Sequence, residues 1–214
     1  MDNNSVNVEV QWQFLDVSKN DRRNIKGHSS AIIWLTGLPA SGKTTIAREL
    51  DKKLHERGCH TYVLDGDNVR HGLNRDLGFS KEQRKENIRR IAEVAKLFCD
   101  AGVITICSFV SPYKDDRDLA RSIVEESEFI EVFVQCPLEV CIERDPKSMY
   151  KKAVKGAMKS FTGVDDPYET PESPEIIIES DRLTLPESVE RILQWLEDKN
   201  VVSAYRPNLC NVED

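Results

Sequence analysis

The sequence has no run of about 20 consecutive apolar residues, which excludes a membrane-spanning helix. It has no excess of positive charge either: 30 Lys and Arg against 37 Asp and Glu leave a net charge of -7. That balance argues against broad binding to a nucleic-acid backbone, although a local basic patch can still hold a small anion. No basic start followed by an apolar stretch is present at Met1-Asp2-Asn3-Asn4, so no secretory signal is expected. The 6 cysteines (59, 99, 107, 136, 141 and 210) form no C-x-x-C pair, and only 4 histidines accompany them. A zinc site needs better spacing, so the expectation is reduced, mostly buried thiols in a cytoplasmic protein, with neither nucleic acid nor membrane as a partner. No internal repeat or low-complexity tract stands out.

What remains suits a globular protein: 39% hydrophobic and 31% charged residues over 214 positions, enough chain to bury a core without disulfide or metal staples. Residues 1–29 are polar and poorly periodic and are expected to form an N-terminal arm, with a short helix within 17–28. A domain is expected over 30–200 and a tail over 201–214. Ala31-Ile-Ile-Trp-Leu-Thr36 is a continuous apolar run, as in a strand buried on both faces. Ile46, Leu50 and Leu54 recur at helical spacing and Gly58 closes that segment. Further strands are expected at 61–64, 103–110, 130–134 and 175–178. Helices are expected at about 81–101 (with Ser80 as cap), 114–127, 137–145 and 186–198. Strands alternating with helices predict an α/β fold, a parallel sheet with helices on both faces.

One segment breaks the acidic balance. Residues 144–159 carry one Arg and five Lys against one Asp. Such a run is usually a solvated helix face. Its place before the Phe161-Thr-Gly163 turn suggests instead a basic lid, over about 144–163, above an anionic ligand.

Gly37-Leu-Pro-Ala-Ser-Gly-Lys-Thr44 matches G-x-x-x-x-G-K-[ST] in full, between an apolar strand and an amphipathic helix. Such a loop turns successive backbone N–H groups toward phosphate oxygens, and the helix N-terminus adds partial positive charge. Lys43 is expected to reach the β- and γ-phosphates, and Thr44 to offer its hydroxyl to Mg²⁺. The ATP contacts predicted are Gly37, Leu38, Pro39, Ala40, Ser41, Gly42, Lys43, Thr44 and Thr45.

Ligands of open parallel sheets bind at the carboxyl ends of the strands. The second strand is followed by Asp65-Gly-Asp-Asn-Val-Arg70, whose two carboxylates can accept a hydroxyl proton or hold Mg²⁺ water. Either can be the base. The expectation makes Asp65, fixed by its strand, the catalytic carboxylate, and gives Asp67 the positioning of the acceptor. Ser111 is left at the sheet's edge by Pro112, which cannot continue the strand. Arg84 and Asn87 share a helix face. Arg70, Arg84 and the lid lysines form a cationic enclosure for an anionic acceptor, and Phe79 and Phe161 are candidate stacking faces for a base.

These residues, with Thr36-Gly-Leu, Leu64-Asp-Gly-Asp-Asn-Val-Arg70, Gly72-Leu-Asn74, Leu77-Gly-Phe-Ser80, Glu86-Asn-Ile-Arg-Arg-Ile-Ala-Glu-Val-Ala95, Ser108-Phe-Val-Ser-Pro-Tyr113, Tyr150-Lys-Lys152 and Phe161-Thr-Gly163 in that order, closely resemble adenylyl-sulfate kinase (APS kinase) over about residues 15–200. The resemblance implies a P-loop kinase fold and transfer of the γ-phosphoryl of ATP to the ribose 3′-hydroxyl of adenosine 5′-phosphosulfate, the second step of sulfate activation. It places Asp67, Asn68, Arg70, Phe79, Arg84, Asn87, Val110, Ser111, Lys147, Phe161 and Thr162 at the acceptor. Ser111 matches a family serine described as a phosphoserine intermediate, although direct in-line transfer needs only positioning and charge neutralisation. The candidate catalytic residues are thus Lys43, Asp65, Asp67 and Ser111. The resemblance also implies a cytoplasmic homodimer, with an ATP sulfurylase on a separate chain as functional partner.

The sequence departs from the family pattern at Pro39-Ala40-Ser41, where Ser-Gly followed by Ala or Ser is usual, and at Lys85, Ser148-Met149 and Val154. A P-loop kinase of another small anionic acceptor, a nucleoside monophosphate or a sugar acid, is the alternative. A non-catalytic nucleotide-binding regulator would lack Lys43, Thr44 or the strand-end carboxylates. A nucleotide-hydrolysing switch would favour an apolar strand ending in Asp where this chain has Ser111-Pro112.

Overall fold

A computed structural model of the chain describes residue 11 and residues 13–157 and 160–203. Cys210, and Met158 and Lys159 of the lid segment, lie outside the described residues. Five parallel strands form one sheet in the order β2-β3-β1-β4-β5: β1 (Ile32–Thr36), β2 (Thr61–Asp65), β3 (Ile104–Ser108), β4 (Phe129–Gln135) and β5 (Ile176–Glu179). Strand β1 lies at the centre and is wholly buried.

Period-two alternation divides the core. Ile33 and Leu35 face one side, with Ile46, Leu50 and Leu54 of α2 (Lys43–Glu56) and Val189, Ile192 and Leu196 of α7 (Leu185–Asp198). Ile32 and Trp34 face the other, with Ile88, Ile91 and Ala95 of α3 (Lys81–Asp100) and Ala120 of α4 (Lys114–Ser122). Helices on both faces explain why β1 reads as an unbroken apolar run rather than an alternating one. A reciprocal capping box of Ser80 and Gln83 starts α3.

Strand β3 stops at Ser108 rather than 110, so Pro112 does not end it, and two further features of the helices differ from the sequence expectation. Helix α4 stops at Ser122 rather than near 127, because Glu125 and Glu128 form a second capping box around the short 3₁₀ turn Glu126–Glu128. That turn delivers the chain to β4. The basic segment contains helix α6 (Met149–Val154), which follows α5 (Leu138–Arg144). The carboxylate of Asp145, the only acidic residue in the basic run, accepts from the backbone N–H groups of Met149, Tyr150 and Lys151 at 2.7, 3.2 and 3.0 Å. It satisfies donors that a helix start leaves without partners.

Helix α1 (Lys19–Lys26) is held by charge rather than apolar packing. Arg22 pairs with Asp100, and Lys19 and Arg23 both pair with the buried Glu128, at 2.6 and 2.5 Å. Among the described residues no helix is long and apolar enough to cross a membrane. Cys59, Cys99, Cys107, Cys136 and Cys141 are free and buried.

Candidate active site

The loop between β1 and α2 is shaped by close backbone approach. A Cβ on Gly37 would lie 2.5 Å from the carbonyl oxygen of Val134 on β4, so only glycine fits there. Ala40 adopts φ 62°, a left-handed conformation costly for any residue with a Cβ. The usual glycine of such loops is absent here, and the strain has a measurable consequence. Ala40→Gly should raise unfolding stability by roughly 0.5–1 kcal/mol, the left-handed penalty less the entropy glycine adds to the unfolded chain. Urea unfolding of the two proteins checks this; a lower midpoint for the glycine variant contradicts it.

Lys43 is buried, and its ammonium donates to the carbonyl oxygens of Gly37 and Leu38 at 2.8 and 2.7 Å. Burial lowers its pKa to about 8, against the raising influence of Cys141 and Asp65. Thr44 donates its hydroxyl to Asp65 Oδ2 at 2.8 Å, and Ser108 Oγ lies 3.4 Å from the same hydroxyl. The other oxygen of Asp65 accepts from the backbone N–H of Asp67 at 3.0 Å. Parallel pairing of β2 with β3, Asp65 opposite Ser108, brings these groups together across the strand ends. Asp65 is therefore fixed from two sides and 8% exposed, whereas Asp67 is exposed and ion-paired with Lys147 of the lid.

The acceptor side gathers a second set. Asn68 and Arg70 lie on the 3₁₀ turn Asn68–His71. Arg70 donates to the carbonyls of Leu77 and Gly78, which places its guanidinium 4.3 Å from the centre of the Phe79 ring. Arg84 lies 5.7 Å from the same ring and donates to Ser160 O of the lid at 2.6 Å. Phe79 is 56% exposed, with two cations close to its ring. Burial, with the nearby charge of Arg84, lowers the pKa of Arg70. Asn87 is buried and accepts from Asn74. Thr162 Oγ1 is buried without a hydrogen-bond partner.

Phe161 is placed differently from Phe79. It is buried in a small core of its own with Tyr150, Ala153, Cys136 and Cys141, against Leu38 and Ala40 of the phosphate loop. Its ring meets Tyr150 edge-on at 4.9 Å, and the Tyr150 hydroxyl donates to Pro39 O at 3.0 Å. The basic segment and the turn after it thus contact both the phosphate loop and Arg84. Sequence reasoning assigned no role to Tyr150 at this junction, nor to Asn74, Trp34 or Thr36. For Trp34 a signal existed, since a buried indole N–H needs an acceptor. That acceptor is Ser111 Oγ, at 3.1 Å. Thr36 donates to Val110 O at 2.8 Å. Val110, Thr45 and Asn68 make no further side-chain contact that bears on a role.

A family model described as Adenylylsulphate kinase matches residues 29–179. Adenylyl-sulfate kinase of Staphylococcus carnosus is 53% identical over 193 residues, covering 90% of this chain and 97% of that protein. The adenylyl-sulfate kinase of Thermodesulfovibrio yellowstonii is 56% identical over 183 residues, covering 86% and 92%. Among solved structures, the Mycobacterium tuberculosis APS kinase CysC in complex with AMPPNP and APS superposes with a TM-score of 0.76 at 42% identity, covering 79% of this chain and 99% of that one. A gluconokinase from Sinorhizobium meliloti, 15% identical with a TM-score of 0.56 over 81% of this chain and 94% of that one, shares the fold alone.

Proposed function

The chain belongs to the adenylylsulphate kinase family, and from that premise we infer that it transfers the γ-phosphoryl group of ATP to the ribose 3′-hydroxyl of adenosine 5′-phosphosulfate, giving ADP and 3′-phosphoadenylyl sulfate. The observation that carries this reading is the exposed Phe79 ring with Arg70 and Arg84 close to it, beside strand-end carboxylates that lead to the phosphate loop. An aromatic face close to two guanidinium groups suits a purine that carries anionic groups; a sugar acid offers no base to stack. An acceptor panel with ATP tests it. Phosphorylation of adenosine 5′-phosphosulfate in clear preference to nucleoside monophosphates and sugar acids is expected, and equal or better use of either rival overturns the reading.

The residues divide into roles. Lys43 and the loop 37–45 hold and neutralise the ATP phosphates. Arg70, Phe79, Arg84, Asn87, Lys147 and Thr162 enclose the acceptor, whereas Phe161, expected as a stacking face for the base, is buried against Tyr150 and offers no free ring. Asp65 takes the proton of the attacking hydroxyl, and Asp67 positions the ribose. Direct in-line transfer is favoured over a phosphoserine because phosphoryl transfer mainly needs positioning and charge neutralisation.

Asp65 Oδ2 and Ser108 Oγ lie 2.8 and 3.4 Å from the Thr44 hydroxyl, hard oxygen donors that fit Mg²⁺ completed by phosphate oxygens and water. Bound there through Thr44, the ion would neutralise charge on the phosphates. Exposed Phe14, Leu15 and Ile25 near the N-terminus support the homodimer reading. We extend this reading to a cytoplasmic location, with ATP sulfurylase as a functional partner, on the family resemblance.

The lid reading also makes a prediction. Its like charges repel until an anion neutralises them. Trypsin should cut within 144–163 in the free protein, and ATP analogue plus acceptor together should slow that cleavage several-fold. Equal protection in the free protein would show that the segment is no lid.

A further inference from the structure

Ser111 is a strained residue held in place from three directions. Its φ of 39° is left-handed, a conformation that persists only where the surroundings impose it and that clusters at functional sites. Thr36 holds the preceding carbonyl, of Val110, at 2.8 Å. Arg117, itself buried, donates to Ser111 O at 2.8 Å. The third restraint is the Trp34 indole, whose Nε1 lies 3.1 Å from Ser111 Oγ.

The indole itself has no freedom to move. Trp34 sits on the central strand with no exposed surface, and its ring is stacked between Phe109 (5.8 Å, 25°) and Phe129 (5.7 Å, 28°). A large aromatic in the centre of a sheet contributes apolar area wherever it sits, so packing alone would be served by phenylalanine. The N–H adds a direction. An indole nitrogen donates and never accepts, so Ser111 Oγ must be the acceptor of this bond. The hydroxyl hydrogen of Ser111 is then left to be given elsewhere, and among the described residues none is found that takes it.

We propose that Trp34 is a positioning residue for the phosphoryl transfer: its indole N–H occupies a lone pair of Ser111 Oγ and thereby commits the Ser111 hydroxyl to donate to an oxygen of the acceptor nucleotide. This rests on the reading that Ser111 meets the acceptor, and it adds why a tryptophan stands in the middle of β1. It gives the serine the part of an oriented donor, whose bond to the acceptor's oxygen is strengthened by negative charge there.

A double-mutant cycle tests it, with steady-state kinetics for both substrates on Trp34→Phe, Ser111→Ala and the pair. Trp34→Phe keeps the stacked ring and removes only the donor. It should lower kcat/KM for adenosine 5′-phosphosulfate by roughly 10- to 150-fold, the worth of a hydrogen bond to a charged group, and leave the KM for ATP unchanged. In the Ser111→Ala background the same substitution should cost nothing more. Equal losses in both backgrounds, or a loss shared with ATP, would make Trp34 a packing residue only. A Trp34→Phe enzyme of normal kinetics beside an impaired Ser111→Ala enzyme overturns the proposal and leaves the reading of Ser111 standing. A fully active Ser111→Ala enzyme overturns both. Should Trp34→Phe fail to fold, the indole N–H resonances of the unmodified protein give a second readout. There are 3 tryptophans, and the Trp34 signal, identified by eliminating those of Trp12 and Trp195, should move on Ser111→Ala and on adding adenosine 5′-phosphosulfate. A signal indifferent to both counts against the proposal.

Discussion

Lys43→Ala is expected to leave about a hundredth to a thousandth of normal turnover, the usual cost of deleting one preorganised donor to developing charge. The reason lies in where the ammonium sits before ATP arrives. It is buried and donates to two loop carbonyls, so the loop is already wound around a positive charge. No other residue of the loop 37–45 carries a charge that could replace it. Circular dichroism should show an unchanged fold, and near-normal kcat would mean that the loop does not serve catalysis.

The same burial makes a pH prediction. Desolvation lowers the pKa of Lys43 to about 8 in the free protein, from the ordinary 10.5. Between those values the unfolded chain binds the proton and the folded one does not, so this group's contribution to stability rises with pH across about 8 to 10.5. ATP phosphates favour the charged form and restore it, so nucleotide binding at about pH 9 should take up a proton through Lys43. Calorimetry in buffers of different ionisation enthalpy measures that uptake, and Lys43→Ala should remove it. Uptake unchanged in the variant would assign the proton to another group.

Asp65→Asn should lower kcat by about 10²–10⁴, the range for a general base, with little change in the acceptor KM. Asp65 receives Thr44's hydroxyl on one oxygen and the Asp67 backbone N–H on the other. An amide in its place keeps the shape, but its NH₂ must face one of those two donors, and the negative charge is gone. Asp67 presents a different environment. It is exposed, beyond Gly66, and paired with Lys147 from the lid. Asp67→Asn should therefore raise the acceptor KM with kcat largely kept, a loss of binding common to ground and transition states. The Asp67 backbone N–H binds the Asp65 carboxylate, so the two residues are linked, and steady-state constants for each variant, with both substrates varied, are the measurement that separates them. The opposite pattern exchanges the two roles, and two unaffected variants would mean that neither is the base.

Local rules carried much of this protein. An apolar run too long to alternate requires a strand covered on both sides, and β1 is one. Gly37 to Thr44 needed no tertiary information, since glycines, lysine and hydroxyl at fixed spacing between strand and helix define the loop. Ser80, with Glu82 and Gln83 after it, marked the start of α3 because capping is settled within one turn. The end of α4 was harder to read, since the signal that stops it belongs to the following turn.

The contacts between distant parts of the chain were another matter. Trp34 and Ser111 stand 77 positions apart, Arg84 and Ser160 76, Tyr150 and Pro39 111. Each pairs groups on different elements, and which elements meet depends on the strand order β2-β3-β1-β4-β5 and its register, which no local propensity encodes. The same holds for the two phenylalanines. Identical in chemistry, Phe79 stays exposed close to two arginines while Phe161 is buried against Tyr150. The sequence by itself determined which residues are competent for phosphoryl transfer, because that follows from side-chain chemistry at short spacing. The tertiary structure alone decided which of them are fixed and which exposed, because burial and side-chain hydrogen bonding are properties of neighbours brought in from elsewhere in the chain.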